Sequence, residues 1–270
     1  MSIPVLVKKI IDTNPDCAEI LDCHGKIYTF LNPVSYLEAL KNRDLYTNFD
    51  GIFVDGKFLA VAIGLFYHKR VKRCSFDMTS FAPKLFAYSE CRGKSIYIVA
   101  GQQEEIDRAI TTFIEHYPKL NVVGARNGYF DDDQSINVEI QKIVKVNPDF
   151  VICGMGAIKQ EGFLFRLKQA GYQGVAFTCG GFISQTSKSS FIYYPRFFDI
   201  LDLRFVYRMI KERHTRKRYL QAFFCFPIRF TWERVKSFGW LRSKDLRKSP
   251  EIKPVLKDSV AETQKIEEVC

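Results

Sequence analysis

Glycine-rich turns with polar neighbours recur along the middle of the chain, and they contain the residues best suited to chemistry. The longest reads Gly154-Met155-Gly156-Ala157-Ile158-Lys159-Gln160-Glu161, where a predicted strand passes into a predicted helix. Small residues at a helix N-terminus let a phosphate group approach the backbone N–H groups closely. The spacing matches neither the dinucleotide-binding fingerprint nor the P-loop. A tight strand-to-helix turn explains the segment equally well, but Lys159, Gln160 and Glu161 can also face a ligand together.

Two further turns have the same character. Tyr129, after Gly128, can stack on a base or a sugar, and Gly180-Gly181 follows another apolar run. Asp131-Asp132-Asp133 comes after the first of these turns. An acidic triplet can bind Mg²⁺ or Mn²⁺, but acids that precede a helix also stabilise its dipole. We favour the helix N-terminus and predict no metal site.

Three charged residues suit group-transfer chemistry. Asp55 follows an apolar run and precedes Gly56. Partial burial there would raise the pKa of its carboxyl group toward the working range of a general base, although an Asp-Gly turn is the alternative. Arg73 can hold a phosphate. Asp77 can instead cap the helix predicted over 79–92.

Histidine and cysteine patterns exclude several enzyme classes. The four histidines have no strand-to-helix serine elbow near them, so a Ser-His-Asp triad is not predicted. The eight cysteines form no Cys-x-x-Cys pair, and zinc-ligand spacing is absent. Scattered free thiols are typical of a reducing cytosol. We therefore expect buried free thiols, no metal and no cofactor.

Strands and helices alternate through the middle of the chain. This alternation predicts an α/β, Rossmann-like parallel sheet that helices cover on both faces. Ligands in such sheets bind beyond the carboxyl ends of the strands, so Asp55 and the glycine turns should line one edge. Residues 1–25 should form a leader strand or an irregular start. Strands are predicted at 26–31, 51–54, 95–100, 121–125, 149–153 and 174–178, and helices at 34–41, 79–92, 104–117, 135–146 and 161–171.

The positive charge is concentrated near the C-terminus. Of the net charge of +10, all comes from residues 201–250, which hold fourteen basic and four acidic side chains; 26 basic and 26 acidic residues remain elsewhere. Such a segment attracts phosphates, nucleic acid or an anionic membrane. It reads as a basic helix over 203–219 and an aromatic stretch over 219–241, which Pro227 should divide. We predict a core over 1–198, a basic, helical, membrane-docking appendage over 199–248 and a disordered tail over 249–270.

No segment reads as a signal peptide or a membrane span. The N-terminus lacks a basic region before its short apolar run. The longest apolar run, over 58–67, is about half of the roughly 18 residues that a spanning helix needs. Any membrane contact is therefore expected to be peripheral.

Several of these pieces occur together in one family. The order Asn32-Pro33, Asp55-Gly56, Ser75-x-Asp77, Gly128-Tyr129-Phe130, Gly154-x-Gly156-x-x-Lys159-Gln160-Glu161, Gly180-Gly181, Tyr207-Arg208 and Arg218-Tyr219 resembles the WecG/TagA/CpsF glycosyltransferases (glycosyltransferase family 26). The resemblance extends over about residues 25–220. The Gly-Tyr-Phe and Gly-x-Gly-x-x-Lys-Gln-Glu motifs at this spacing are the most specific part of it.

The resemblance implies an inverting, metal-independent transfer from a UDP-sugar to an undecaprenyl-diphosphate-linked saccharide, at the cytoplasmic face of the bacterial inner membrane. The family's proposed base falls on Asp55, its following arginine on Arg73 and its glutamine on Gln160. The basic C-terminal segment would close the site, neutralise the donor diphosphate and dock to an anionic membrane. Its candidate residues are Arg208, Arg213, Arg216 and Arg218. Homo-oligomers are possible, and nucleic acid is not expected as a partner.

The chain departs from the family pattern at three places. Ile158 replaces the usual proline, Phe30 stands where a threonine is usual, with Thr29 beside it, and the residues after Gly181 differ. These departures resemble an exopolysaccharide branch more than the ManNAc-transferring teichoic acid enzymes. Two alternatives stay open: a basic nucleic-acid-binding protein, and a nucleotide-sugar-binding regulator without catalysis.

Overall fold

A six-stranded, all-parallel sheet forms the centre of the protein. The computed structural model describes residues 3–13, 17–188, 204–211 and 216–237. The strand order is β2-β1-β6-β5-β3-β4, so the predicted α/β parallel fold is confirmed. The strands are β1 (Lys26–Leu31), β2 (Gly51–Val54), β3 (Ser95–Ala100), β4 (Asn121–Asn127), β5 (Phe150–Gly154) and β6 (Val175–Thr178).

Helices connect the strands and cover both faces of the sheet. The helices are α1 (Val5–Asp12), α2 (Cys17–Leu21), α3 (Pro33–Lys41), α4 (Arg43–Thr47), α5 (Lys57–Tyr67), α6 (Ala82–Arg92), α7 (Gln103–His116), α8 (Asp133–Val146), α9 (Lys159–Gln169), α10 (Phe182–Lys188), α11 (Arg204–Lys211) and α12 (Arg216–Ser237). Strands β2, β5 and β6 are buried throughout, as expected for a parallel sheet between two helical layers. These continuous apolar runs explain why β2, β5 and β6 were predictable.

The two faces of the sheet have different cores. One face is aromatic: Phe81 and Phe177 have ring centroids 4.9 Å apart, and Phe113 stacks on Phe182 at 5.6 Å. The other face is mainly aliphatic, with Val99 and Leu164 fully buried. Helix α9 belongs to this second face, which fixes the segment after β5 against the sheet.

The N-terminal prediction was wrong. Residues 5–12 form α1 rather than a strand. Leu6, Val7 and Ile10 are buried together, and their spacing follows the helical period of 3.6 residues rather than the strand period of two. Residues 14–16 lie outside the described part of the chain.

Pro227 does not divide the C-terminal segment, because α12 runs through it. A proline inside a helix loses one backbone hydrogen bond and crowds the preceding turn, at a cost of about 3 kcal/mol. The residues on either side offset this cost. Phe226 and Phe230 are buried and contact the Tyr36 ring, with centroids 5.8 and 5.5 Å away. Helix α12 therefore continues where Pro227 alone predicts a break.

Helix α12 packs onto the sheet domain at α3 and α5. Besides the Phe226 and Phe230 contacts, Glu233 is 2.6 Å from the Arg43 guanidinium and is only 8% exposed. The division of the chain near residue 198 stays a prediction, since 189–203 lie outside the described residues. So do 212–215 and the predicted tail over 249–270.

Candidate active site

A large cavity opens at the carboxyl edge of the sheet. Its volume is about 1360 Å³, above the roughly 300–1,000 Å³ typical of a small-molecule site. There is thus room for two substrates. The predicted site residues that line it are Asn32, Asp55, Asp77, Gly128, Tyr129, Gly154, Gly156, Lys159, Gln160, Gly180, Gly181 and Arg218.

Asp55 lies where the sheet meets the cavity. It directly follows β2, is half-buried, and its backbone N–H donates to the Leu31 carbonyl at 2.8 Å. Gly56 then turns the chain into α5 with φ of +111°, a conformation that a residue with a Cβ rarely adopts. The Asp-Gly pair is therefore a turn, as the alternative interpretation had it, and the turn holds the carboxylate at the cavity wall.

Asn32 has a structural function at the same edge. The side-chain Oδ1 of Asn32 accepts hydrogen bonds from the backbone N–H groups of Val34 (2.9 Å) and Ser35 (3.0 Å). The Ser35 hydroxyl in turn accepts from the backbone N–H of Asn32. This is a complete capping box, with Pro33 in the first turn of α3. The side-chain oxygen of Asn32 is thus occupied by the helix cap, and its side-chain nitrogen, Nδ2, is the atom suited to bind a ligand.

Arg73, Ser75 and Asp77 form a linked group beside β2. The Arg73 guanidinium donates to the Ser75 hydroxyl at 3.0 Å and lies 3.7 Å from Asp77, to which Ser75 donates at 2.6 Å. Residue 73 also pairs with Val54 as an isolated parallel bridge. Asp77 and Ser75 line the cavity and Arg73 stands behind them. Asp77 accepts from the Thr79 amide, so it caps the turn before α6, which itself begins later, at Ala82.

A buried polar network lies under the cavity floor. Glu161 is fully buried: its Oε1 accepts from the Thr29 hydroxyl (2.9 Å) and from Gln160 (3.0 Å), and its Oε2 accepts from the Ile158 amide (2.6 Å). Thr178 donates to Thr29. Burial raises the pKa of Glu161, and the hydrogen bonds from Gln160, Thr29 and Ile158 oppose that rise. The network joins β1, β6 and the start of α9.

The three polar residues at the start of α9 do not face one side. Lys159 is exposed, Gln160 reaches the cavity while donating to Glu161, and Glu161 points into the core behind the wall. Successive helical residues are turned by about 100°, so a common orientation was not possible. Gln160 also accepts from the Gly180 amide at 3.2 Å, which ties α9 to the glycine turn after β6.

Ile158 has an unusual backbone conformation. Its φ is +73°, a rare value for a β-branched residue. The bond from its amide to Glu161 and the following helix hold it there. The charge and size of Glu161 thus set the shape of the turn that borders the cavity, and sequence reasoning missed this because burial of a motif glutamate leaves no local signal.

Close backbone contacts explain two of the glycines. A Cβ on Gly154 would lie 2.6 Å from the Cys179 sulfur and 2.7 Å from the Gly180 carbonyl oxygen. The amide of Gly128 donates to the carbonyls of Ala100 and Gly101 at 3.1 and 3.0 Å. The turns after β3, β4, β5 and β6 therefore pack directly on one another. Tyr129, next in the chain, is 69% exposed at the cavity margin.

The acidic triplet is confirmed as a helix start. Asp132 caps α8 by accepting from the Ser135 amide at 2.7 Å, and this bond lowers the pKa of Asp132. Asp133 pairs with Arg166 at 2.8 Å. Within the described ranges, no group of three or more His, Cys, Asp or Glu side chains could hold a metal ion.

The four candidate arginines have different positions. Arg218 is exposed at the cavity wall. Arg216 donates to the Met209 and Ile210 carbonyls at 2.6 and 3.3 Å, and so covers the end of α11. Arg208 lies on α11, with a side chain outside the described part, and Arg213 lies outside it altogether.

Apolar side chains form the outer part of the cavity. Val61 and Leu65 of α5 and Leu220 and Phe223 of α12 all line it, and all four are more than half exposed. The sequence did not predict α5, because the run over 58–66 is apolar all round the helix and shows no helical period. Among the described residues, no helix combines the length and apolar character needed to cross a membrane.

Comparison with known proteins agrees with this geometry. Over 232 residues the chain is 28% identical to UDP-Gal:alpha-D-GlcNAc-diphosphoundecaprenol beta-1,4-galactosyltransferase from Shigella boydii, covering 85% of this chain and 97% of that protein. It is 23% identical over 206 residues to N-acetylglucosaminyldiphosphoundecaprenol N-acetyl-beta-D-mannosaminyltransferase from Bacillus subtilis (strain 168), covering 73% and 75%.

The family assignment rests on a broader match. Residues 10–238 fit the sequence profile of the Glycosyl transferase WecG/TagA/CpsF family, which spans both the sheet domain and α12. The match favours a glycosyltransferase over a nucleic-acid-binding protein or a non-catalytic regulator. The chain belongs to the WecG/TagA/CpsF family of glycosyltransferases.

Proposed function

We propose that this enzyme transfers a hexose from a UDP-sugar to N-acetylglucosaminyl-diphospho-undecaprenol during synthesis of a bacterial surface polysaccharide. The observation that carries the proposal is the position of Asp55 on the same cavity as four glycine turns at the carboxyl ends of the strands. Both relatives act on an acceptor of this kind. The relative that covers more of the chain uses UDP-galactose, which makes galactose the first donor to test.

Asp55 acts as the general base in this proposal. Its carboxylate takes the proton from an acceptor hydroxyl as that oxygen attacks the anomeric carbon. The bond from that carbon to the diphosphate breaks, and UDP leaves with the electron pair from the opposite side. The Shigella boydii relative is named a beta-1,4-galactosyltransferase, and formation of a β-linked product from an α-linked UDP-hexose requires this inversion.

The leaving diphosphate needs positive charge. Arg218 and Lys159 line the cavity, whereas Arg73 lies behind Ser75 and Asp77 and contributes its charge from there. Prepositioned cations and helix N-termini stabilise charge that develops in a transition state by several kcal/mol. These groups take the place of a metal in our proposal. Tyr129, exposed at the margin, is suited to stacking on the uracil ring.

A donor panel tests the proposal. The purified full-length chain is incubated with N-acetylglucosaminyl-diphospho-lipid and UDP-galactose, UDP-glucose, UDP-GlcNAc or UDP-ManNAc, with and without EDTA. We expect one hexose donor to be used far faster than the others and the rate to be unchanged by EDTA. Absence of transfer from every donor contradicts the proposal, and loss of transfer in EDTA contradicts its metal-independent part.

The outer face of α12 supports peripheral attachment at the membrane. Its buried positions are Ala222, Phe226, Phe230 and Glu233. The opposite face carries exposed apolar side chains at a spacing of three or four residues: Phe224, Ile228, Trp232 and Val235. Arg218, Arg229 and Lys236 are exposed along the same helix. An apolar face flanked by cations is typical of a helix that lies in an anionic membrane surface.

Point variants test the attachment better than truncation, because α12 also fills the core with Phe226 and Phe230. Phe224→Ser with Ile228→Ser should reduce sedimentation with anionic vesicles. The matched control is Val138→Ser with Ile114→Ser, two exposed apolar residues of α7 and α8. Equal sedimentation of both double variants would contradict the assignment of α12. We place the enzyme at the cytoplasmic face, where UDP-sugars are available.

A further inference from the structure

Helix α5 exposes apolar side chains at the rim of the cavity. Val61 and Leu65 are 58% and 69% exposed, whereas Leu59 and Ile63 on the other side are fully buried. A spacing of four residues puts the two exposed side chains on one side of the helix. Contiguous exposed apolar surface on a folded protein often marks an interaction site.

The loop that follows α5 is basic. Residues 56–76 contain five lysines and arginines and no aspartate or glutamate. Lys69, Arg70 and Lys72 are exposed, and none of them forms an ion pair with any residue that the structure describes. Apolar side chains on one helix face next to unpaired cations are the features of an element that lies in an anionic lipid surface.

The same cavity connects this surface to α12. Val61 and Leu65 of α5 border the cavity, and so do Leu220 and Phe223 of α12. Phe66 and Tyr67 at the end of α5 contact Phe230 of α12, with centroids 5.7 and 5.8 Å apart. The two helices are therefore fixed to each other.

We propose that α5 and the loop over 68–72 form a second membrane-contacting element, and that the occupant of this surface is an anionic lipid bilayer. This inference rests on the proposed function, since it concerns how that enzyme meets its lipid-linked acceptor. A single interfacial helix can roll about its own axis, but two linked elements fix the orientation. Helix α5 has 11 residues and begins two residues after Asp55, so its full length of about 16 Å limits the distance from Asp55 to the bilayer.

Charge reversal in the full-length chain tests the loop. Lys69→Glu with Lys72→Glu is compared with Lys119→Glu with Lys145→Glu. The control lysines are also exposed, but they precede β4 and β5, at the opposite edge of the sheet. Sedimentation is measured with phosphatidylcholine vesicles that contain about 30% phosphatidylglycerol and with vesicles that contain none. We expect the loop pair to lower the partition coefficient about 30-fold or more on anionic vesicles, and the control pair to change it much less.

A second pair tests the apolar face of α5. Val61→Asp is compared with Val138→Asp on α8, since the two valines are 58% and 62% exposed. At a salt concentration that screens charge, Val61→Asp should still reduce vesicle binding and Val138→Asp should not. Circular dichroism and thermal unfolding confirm that all variants are folded.

The outcomes separate this inference from the proposed function. If the loop double variant and the control double variant bind vesicles equally, α5 does not contact the membrane. The same conclusion follows if Val61→Asp and Val138→Asp bind vesicles equally at high salt. Transfer to a short-chain, water-soluble acceptor is measured in parallel on the unmodified enzyme. Transfer without a loop effect overturns only the α5 inference, whereas absence of transfer contradicts the proposed function itself.

Discussion

Replacement of Glu161 by glutamine is expected to lower the stability of the protein and to disturb the turn that borders the cavity. The carboxylate is fully buried and accepts from Ile158, Thr29 and Gln160 at 2.6–3.0 Å. Glutamine keeps one acceptor oxygen, which can serve Thr29 and Gln160, but it turns an amide group toward the Ile158 N–H. A hydrogen bond to a charged group contributes about 1.5–3 kcal/mol, and a buried unpaired N–H costs about 1–3 kcal/mol. Loss of a buried charge offsets part of this cost, which leaves a net loss of about 2 kcal/mol.

The assay combines unfolding with kinetics. Urea unfolding followed by circular dichroism gives the stability change. The values of kcat and KM for the UDP-sugar report whether the turn after Gly154 has moved. Glu139→Gln is the matched control, because Glu139 is also buried and accepts from the Tyr97 hydroxyl at 2.5 Å, away from the cavity. Both variants should lose stability, but only Glu161→Gln should raise the KM.

Ile158 provides an internal check on the same reasoning. Glycine adopts a positive φ without the penalty of about 1–2 kcal/mol that a Cβ imposes. Because Glu161 holds the strained turn, Ile158→Gly should gain more stability in the wild type than in Glu161→Gln, where the turn can relax, so the two changes should be non-additive. Additive changes, or a Glu161→Gln enzyme with wild-type stability and KM, would refute the idea that Glu161 holds this turn.

Three further predictions concern other parts of the chain. Phe230→Ala removes a fully buried ring between Tyr36, Phe66 and Tyr67, so urea unfolding should show a loss of about 3–5 kcal/mol; less than 1 kcal/mol would mean that α12 is not docked there. Burial alone would raise the pKa of Asp149, but hydrogen bonds from the Ser95 amide, Lys94 and the Ser95 hydroxyl lower it below its usual value. The stability that Asp149 contributes should therefore be lost as the pH falls below about 5 and through the lowered pKa, and Asp149→Asn should flatten that acid dependence of the unfolding free energy, whereas an unchanged slope would contradict the pairing. Arg218→Gln should lower kcat/KM for the UDP-sugar about tenfold or more, while Arg229→Gln, exposed on the same helix outside the cavity, should not; equal effects would remove Arg218 from the site.

The parts of the fold that the sequence predicts are those with strong local patterns. Buried parallel strands such as β5 and β6 read as unbroken apolar runs, and amphipathic helices such as α7 show the 3.6-residue period. The motif aspartate and glycine turns converge on one cavity because parallel strands end at one edge. Their convergence was therefore predictable from alternation alone.

Other features depend on contacts between distant residues. Helix α12 continues through Pro227 because Phe226 and Phe230 meet Tyr36, far away in the sequence. Glu161 is buried because Thr29, 132 positions earlier, supplies a hydrogen bond. The exposed face of α5 was hidden in an apolar run that gave no indication of which side would face the core. Contacts between residues so far apart in the chain leave no local pattern in the sequence.

The central claim is that Asp55 is the base, and the two ends of β2 offer a matched test. Asp50 precedes the strand and Asp55 follows it. Asp50 accepts from Lys168 and the Ile27 amide at 2.6 and 2.9 Å, away from the cavity. The measurement is kcat for hexose transfer to N-acetylglucosaminyl-diphospho-lipid by Asp55→Asn and by Asp50→Asn. We predict that Asp55→Asn stays folded and loses about 10²–10⁴ in kcat, while Asp50→Asn loses about 1–3 kcal/mol of stability and keeps its kcat. Near-wild-type turnover by a folded Asp55→Asn enzyme would contradict the account.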